Sequence, residues 1–286
     1  MPYDPKCILR TKKTKVFAAL AAMAAHWNRT NPTPNADPTK TKYNQTINGH
    51  KDPYIATKQL LKDKGVTKLR KNGVLAIEYV LAFSPEYLFD EKTQKYRSDA
   101  KERAKIWIKT SKNWLIKTYG ENCVSIQTHF DEKSFVHIHA CIIPLEQRIN
   151  KQGVTEHKLN ARGITGGADK LLKMQDSYAD YLINNGVKLS RGQRNSKAKH
   201  TTTRQFQSAL NNAKKLCEEN SIIPPSSNPS EFNVWQSVID KLSRSLDSSH
   251  DNELAKLNVL IRNLLNENKR LQRQVNAQSR SLVRSR

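Results

Sequence analysis

Three histidines, His129, His137 and His139, fall within eleven residues at a spacing that suits a metal site. Residues two apart on a strand point the same way, so Ile138 between His137 and His139 leaves both imidazoles on one face. If the segments NCVSIQTH (122–129) and VHIHACIIPL (136–145) pair as a hairpin around the polar turn DEKSF, all three rings converge. Imidazole is a common ligand of divalent transition metals. One histidine on a strand is an ordinary core or surface residue; three clustered ones point to a ligand set. No HExxH is present, and an HxH cupin pattern would place Pro144 where it requires Glu. Three neutral ligands leave both metal charges uncompensated, which a phosphodiester would neutralise. Cys141, one step further along the same face, reads as core.

Phosphoryl chemistry by a covalent route needs an attacking side chain. His26 is the candidate, at the end of an Ala-rich helix. Arg29, three residues on, would share its face if the helix continued, where it could grip a phosphate oxygen and keep His26 neutral. Taken alone, His26 reads better as a capping or surface histidine.

These residues must be held by elements that the pattern outlines. Residues 16–25 follow Lys12, Lys13 and Lys15 in the manner of a signal peptide, but their Ala content favours a helix of the mature domain. Pro32, Pro34, Pro38 and several Asn and Thr make the segment to Asn48 a loop. Asp52 can cap a helix over 53–64, and Gly73 opens a strand, VLAIEYVLAF. A helix follows over 99–119, on which Trp107 and Trp114 at seven-residue spacing form a core stripe rather than a base-stacking platform. Leu171, Leu172, Met174, Tyr178 and Tyr181 mark another helix over 168–184. The expected architecture is α+β, an antiparallel sheet with helices packed against it.

Lys and Arg total 49 against 26 Asp and Glu, and a net charge of +23 points to nucleic acid as partner. Residues 188–204 hold six Lys or Arg and no acid, a surface able to neutralise phosphates. Four scattered cysteines without CxxC spacing suit a reducing compartment and argue against a disulfide framework or zinc ribbon. No apolar run is long enough for a membrane helix. A helix over 203–220 and a linker, IIPPSSNPSEF, precede a different kind of unit. There Leu254, Leu257, Ile261, Leu264, Asn268, Leu271 and Val275 alternate three and four apart, a coiled-coil seam whose Asn268 favours a two-stranded parallel homodimer. An amphipathic helix packed on its own domain is the other reading of that seam.

The sequences HWNR (26–29), PNADPTKTKYN (34–44) and HFDEKSFVHIHACIIP (129–144), with KLLKMQDSYADYL and SRGQRNSKAKHTTT, resemble the Mob/Pre plasmid mobilisation relaxases, the MobV group of HUH endonucleases. The resemblance covers roughly residues 10–205. It implies an HUH-relaxase fold over 1–205, with 206–231 as helix and linker and 232–286 as a coiled-coil dimerisation segment. It also implies a cytoplasmic bacterial enzyme that nicks one strand at a transfer origin and stays bound to the 5′ phosphate, using Mn2+ or Mg2+. Carried over by motif, His26 is the nucleophile, Arg29 its partner, Glu132 a general base, and His129, His137 and His139 the ligands. Asn44, Arg191, Arg194, Lys197, Lys199 and His200 are candidate DNA contacts. The family has seven residues from first to second ligand, usually with Pro before the second; here the step is eight, with Val136, so the turn must bulge and Glu132's aim is open.

Tyr54, in the weak pattern YxxxK, and Tyr43 are rival nucleophiles. A rolling-circle replication initiator or HUH transposase is the enzymatic alternative. A non-catalytic dimeric DNA-binding protein with a structural metal site is the alternative of another class. Coupling or relaxosome proteins are possible further partners of a relaxase.

Overall fold

A computed structural model of the chain describes residues 5–194 apart from 34–35, 91–92, 94, 133–135 and 193. Its elements are β1 (Lys6–Thr14), α1 (Phe17–Trp27), β2 (Gln45–Gly49), α2 (Pro53–Asp63), β3 (Ala76–Phe83), β4 (Phe89–Asp90), β5 (Lys95–Tyr96), α3 (Ala100–Tyr119), β6 (Cys123–His129), β7 (His137–Ile142), β8 (Leu145–Ile149), β9 (Thr155–Leu159), α4 (Ala161–Thr165), α5 (Ala168–Asn184) and β10 (Ser190–Arg191). The expected helix over 203–220, the linker and the heptad seam lie outside the described residues.

Six strands form the main sheet in the order β10-β1-β3-β7-β6-β2. All neighbours are antiparallel except the edge pair of β1 with β10. The hairpin expected around residues 130–135 is β6–β7, with His129 opposite His137 and Gln127 opposite His139. It sits inside the sheet because β3 pairs along the other side of β7, Val80 facing His139.

Alternation divides the sheet into two unlike faces. From β3 and β7, Ile77, Tyr79, Leu81, Phe83, Ile138, Ala140 and Ile142 turn to a core that includes Trp107, Trp114 and Leu115 of α3 and Met174, Tyr178 and Leu182 of α5. Trp107 and Trp114 are buried, so the core stripe holds. The other face carries Ala76 and Cys141 beneath α1 and α2, packed with Leu20, Met23, Trp27 and Leu61. Cys141 is wholly buried there, 3.8 Å from Thr57 Oγ1.

Local signals explain the helices. The Asp52 carboxylate accepts the amides of Tyr54 and Ile55, at 2.8 and 3.1 Å, and Pro53 occupies the first turn where its missing N–H is harmless. α1 stops at Trp27 because Arg29 turns into the left-handed region at φ 56°, a reversal that commonly ends helices. Arg29 is therefore outside the helix, and its proximity to His26 comes from the reversal and not from helical repeat.

Strands β1, β2, β8 and β9 lie where the pattern suggests loop or nothing definite. β2 is an edge strand inside the Asn- and Thr-rich segment. It closes on Gly49, where an added Cβ would stand 2.1 Å from the Val124 carbonyl oxygen. β8 and β9 form a separate two-stranded ribbon, polar and largely exposed, which gives little periodicity to read.

Candidate metal centre

The face opposite α3 and α5 brings His129, His137 and His139 together. Their ring centroids are 5.4 Å apart for His129 and His137, 4.7 Å for His129 and His139, and 4.9 Å for His137 and His139. All three are buried. α1 brings His26 over this face, its ring centroid 5.8 Å from that of His139 and 6.2 Å from that of His129. With 41% of its side chain exposed, His26 is the histidine of the group that solvent reaches.

Each imidazole is oriented by a neighbour. Glu78 on β3 accepts from His139 Nδ1 at 3.1 Å and from Trp27 Nε1 at 3.0 Å. A carboxylate on one ring nitrogen fixes the tautomer and leaves the other nitrogen for a ligand. Burial pushes the Glu78 carboxyl up, but the His139 and Trp27 hydrogen bonds outweigh it and bring the group down to about 2. His139 Nε2 and His129 Nε2 are buried and have no hydrogen-bond partner among the described residues. Orphaned buried nitrogens of this kind are costly unless something else takes them. Burial also drives the His129 pKa down, to about 3, with Glu132 opposing and the His139, Arg29 and His137 charges assisting. His26 is lowered mainly by burial, then by His139 and Arg29. Neutral imidazoles are the form that binds metal or attacks phosphorus.

Glu132 turns into the middle of the cluster despite the longer turn. Its Oε1 lies 3.6 Å from His137 Nε2, 3.8 Å from His129 Nδ1 and 3.8 Å from His26 Nε2, and accepts from Arg29 Nη2 at 2.8 Å. Burial raises this carboxyl, yet the histidine and arginine contacts hold it far below the carboxylate range, so it is an anion facing the rings. His26, His129, Glu132 and His139 each offer one ligand atom within 4.8 Å of the rest, a donor set fit for a divalent cation. His137 is adjacent to that set rather than within it. The residues present therefore fit a metal.

Arg29 faces inward. Nε and Nη2 form a bidentate pair with Asp131 at 2.9 and 2.7 Å, Nη1 donates to the His26 carbonyl at 2.7 Å, and Nη2 also lies 3.0 Å from His129 Nδ1. Thr41 Oγ1 donates to Asp131 at 2.9 Å, and Asn44 Oδ1 accepts the Phe130 amide at 2.8 Å, so the 37–44 loop is fastened to this site.

The other candidates are elsewhere. Tyr43 is exposed with Lys42 over its ring. Tyr54 packs edge-on against Phe17 and accepts from Lys58 Nζ at 3.2 Å. Arg191 is ion-paired with Asp176 and donates to Gln175 at 3.1 Å; exposed Arg194 reaches Asp176 at 3.0 Å. Lys197, Lys199 and His200 lie outside the described residues. Sequence reasoning missed Glu78, Trp27, Asp131 and Thr41. Glu78 had a signal, a lone acid inside the apolar run VLAIEYVLAF.

Fold and site together define a class: an α+β domain whose central hairpin presents a histidine cluster fit for a divalent metal beside an arginine–carboxylate cluster. The chain belongs to the plasmid recombination enzyme family, Mob/Pre, whose profile matches residues 4–208. Among its relatives, a 65 kDa protein of Zymomonas mobilis is 31% identical over 77% of this chain and 35% of its own length. A plasmid recombination enzyme of Streptococcus agalactiae is 28% identical over 50% of this chain and 25% of its own. The chain thus spans 35% of the length of the first of these relatives and 25% of the second. In fold it matches the MobM relaxase domain, solved with manganese and plasmid pMV158 oriT DNA, at TM-score 0.57 and 24% identity over 72% of this chain and 99% of that one. No helix among the described residues is long and apolar enough to cross a membrane.

Proposed function

We propose that this chain is a relaxase that nicks one DNA strand at a plasmid or mobile-element transfer origin by metal-assisted transesterification. The observation that carries the reading is the pair of buried imidazole nitrogens, His129 Nε2 and His139 Nε2, left without partners beneath His26. His129 and His139 would hold Mn2+ or Mg2+, with His137 beside them and Glu132 turned toward the same point. Bound there, the ion would polarise the scissile phosphate and offset its charge.

The remaining roles belong to the chain's own groups. His26, kept neutral by burial and by the Arg29 charge, forms an N–P bond through its unprotonated ring nitrogen. The P–O3′ bond breaks, O3′ leaves with the electron pair and takes up a proton from solvent water, and the products are a 5′ phosphoramidate and a free 3′-hydroxyl. Glu132, ionised and 3.8 Å from His26 Nε2, offsets the positive charge that the ring gains on attack. Attack by the 3′-hydroxyl on the same phosphorus reverses the step and reseals the strand. Basic residues from Arg194 through Lys197, Lys199 and His200 would follow the phosphate backbone. Asn44 reads better as a loop anchor than as a base contact, since its carbonyl is committed to Phe130. A second copy, paired through residues 254–275, is the proposed protein partner.

Supercoiled origin plasmid incubated with the full chain and manganese tests this. Relaxed product with protein on a 5′ end is expected, and loss of the adduct in His26→Ala. An undiminished adduct in His26→Ala, removed instead by Tyr54→Phe or Tyr43→Phe, would transfer the nucleophile to that tyrosine. Binding without any relaxation would favour a structural metal site in a DNA-binding protein.

A further inference from the structure

Asp131 lies between the candidate ligand His129 and Glu132, yet its side chain is fully buried and faces Arg29. Its oxygens accept Arg29 Nε and Nη2 at 2.9 and 2.7 Å, and Oδ2 accepts Thr41 Oγ1 at 2.9 Å. The Asp131 carbonyl also takes the Asp37 amide at 2.6 Å. Arg29 is the one non-glycine with positive φ among the described residues, a conformation that persists only where its surroundings over-determine it. The bidentate pair supplies that determination, since a planar guanidinium held at two nitrogens has little freedom left. From this fixed position Arg29 reaches three site groups: the His26 carbonyl, Glu132 Oε1 and His129 Nδ1. Its side chain is only 8% exposed, and Nε, Nη1 and Nη2 are all engaged with protein groups. A phosphate oxygen would have to displace those bonds to be gripped.

We infer that Asp131 is a positioning residue that sets Arg29 as an internal clamp between the end of α1 and Glu132. Arg29 then aligns His26 and Glu132 with the histidine face and does not serve as the phosphate grip. This rests on the nicking reaction proposed above. Neither residue makes or breaks a bond to substrate, so their loss acts on the reaction step and the metal site but not on DNA encounter.

Asp131→Asn, Arg29→Lys and the double variant of the full chain carry the test, each checked for a native circular-dichroism melt. With manganese and an origin oligonucleotide, each single change should lower kcat roughly 10–100-fold with KM nearly unchanged. Manganese titrations should show Kd raised by about tenfold in each single variant. In both measurements the double variant should be no worse than about twofold below the weaker single, because one residue acts through the other. Oligonucleotide affinity without added metal should stay within about twofold of wild type, the opposite of what loss of a phosphate contact gives. Weakened DNA binding in Arg29→Lys with kcat preserved would make Arg29 a phosphate grip and overturn the proposal. Additive losses in the double variant would overturn it too. Thr41→Val, which removes only the outer bond to Asp131, should reduce kcat by about threefold at constant KM. If wild type does not nick, the proposed function fails, and the manganese titration still decides the clamp: equal Kd in all variants would refute it.

Discussion

The two faces of the central sheet share backbone but obey different rules. On one side β3 and β7 contribute Tyr79, Leu81, Ile138 and Ile142 to a core where each polar tip has a partner, as when Trp107 Nε1 donates to the Tyr178 hydroxyl at 3.0 Å. On the other, the same strands contribute Glu78, His137 and His139, and two imidazole nitrogens remain unpartnered though buried. The first face is arranged for stability. The second leaves hydrogen-bonding capacity unspent where a cation can use it, and the well-satisfied face stabilises the domain that bears it.

Substitutions that load one face and spare the other can break this division. Trp107→Ala should have the largest effect, about 3–5 kcal/mol of unfolding free energy in a denaturant titration, because a fully buried indole leaves a cavity behind. Manganese affinity of the still-folded fraction should not change; a parallel loss would show that the faces are not independent. Glu78→Ala strands the donors of Trp27 and His139 and should cost about 2–3 kcal/mol. Unlike the tryptophan change, it should also weaken manganese binding roughly 10–100-fold, measured calorimetrically.

Acid should act chiefly on the histidine face. His129 stays neutral in the folded protein down to about 3, whereas the unfolded chain takes up that proton near the ordinary histidine value. The unfolded state therefore binds more protons between those limits, and stability of the metal-free protein falls as pH falls. From pH 7 to pH 5 this contributes about 2 kcal/mol, seen as a lower melting temperature. Glu78, held at about 2, adds a loss of the same sign below its ordinary value. A melting temperature flat across this range would mean that His129 protonates in the fold. Tyr119→Phe, which deletes the 2.7 Å bond to the Tyr79 hydroxyl, should be the mildest change, about 1 kcal/mol with manganese affinity intact.

Much of the site was legible because its signals are local. The two-residue step of His137 and His139 fixes a shared face in any strand, and the hairpin with β6 follows from the polar turn between two apolar runs. Asp52 capped its helix as its type and place suggest. The edge and ribbon strands were not legible, since β8 and β9 are half-solvated and β2 sits among turn-forming residues, so neither burial nor periodicity marks them. Asp131 was hidden for another reason: an acidic residue in a polar turn looks solvated until Arg29 and Thr41 arrive from distant parts of the chain.

What the sequence by itself determined is the inventory of chemistry: histidines at a strand's period, an imidazole at a helix end, an excess of basic residues, and the family those motifs mark. The tertiary structure decided how the pieces are used. It ended α1 two residues before Arg29, turned Arg29 inward onto Asp131, aimed Glu132 at the rings through a longer turn, and placed Glu78 behind His139. Those outcomes depend on which side chains meet after the sheet has closed and what burial then costs them, and no local spacing records either.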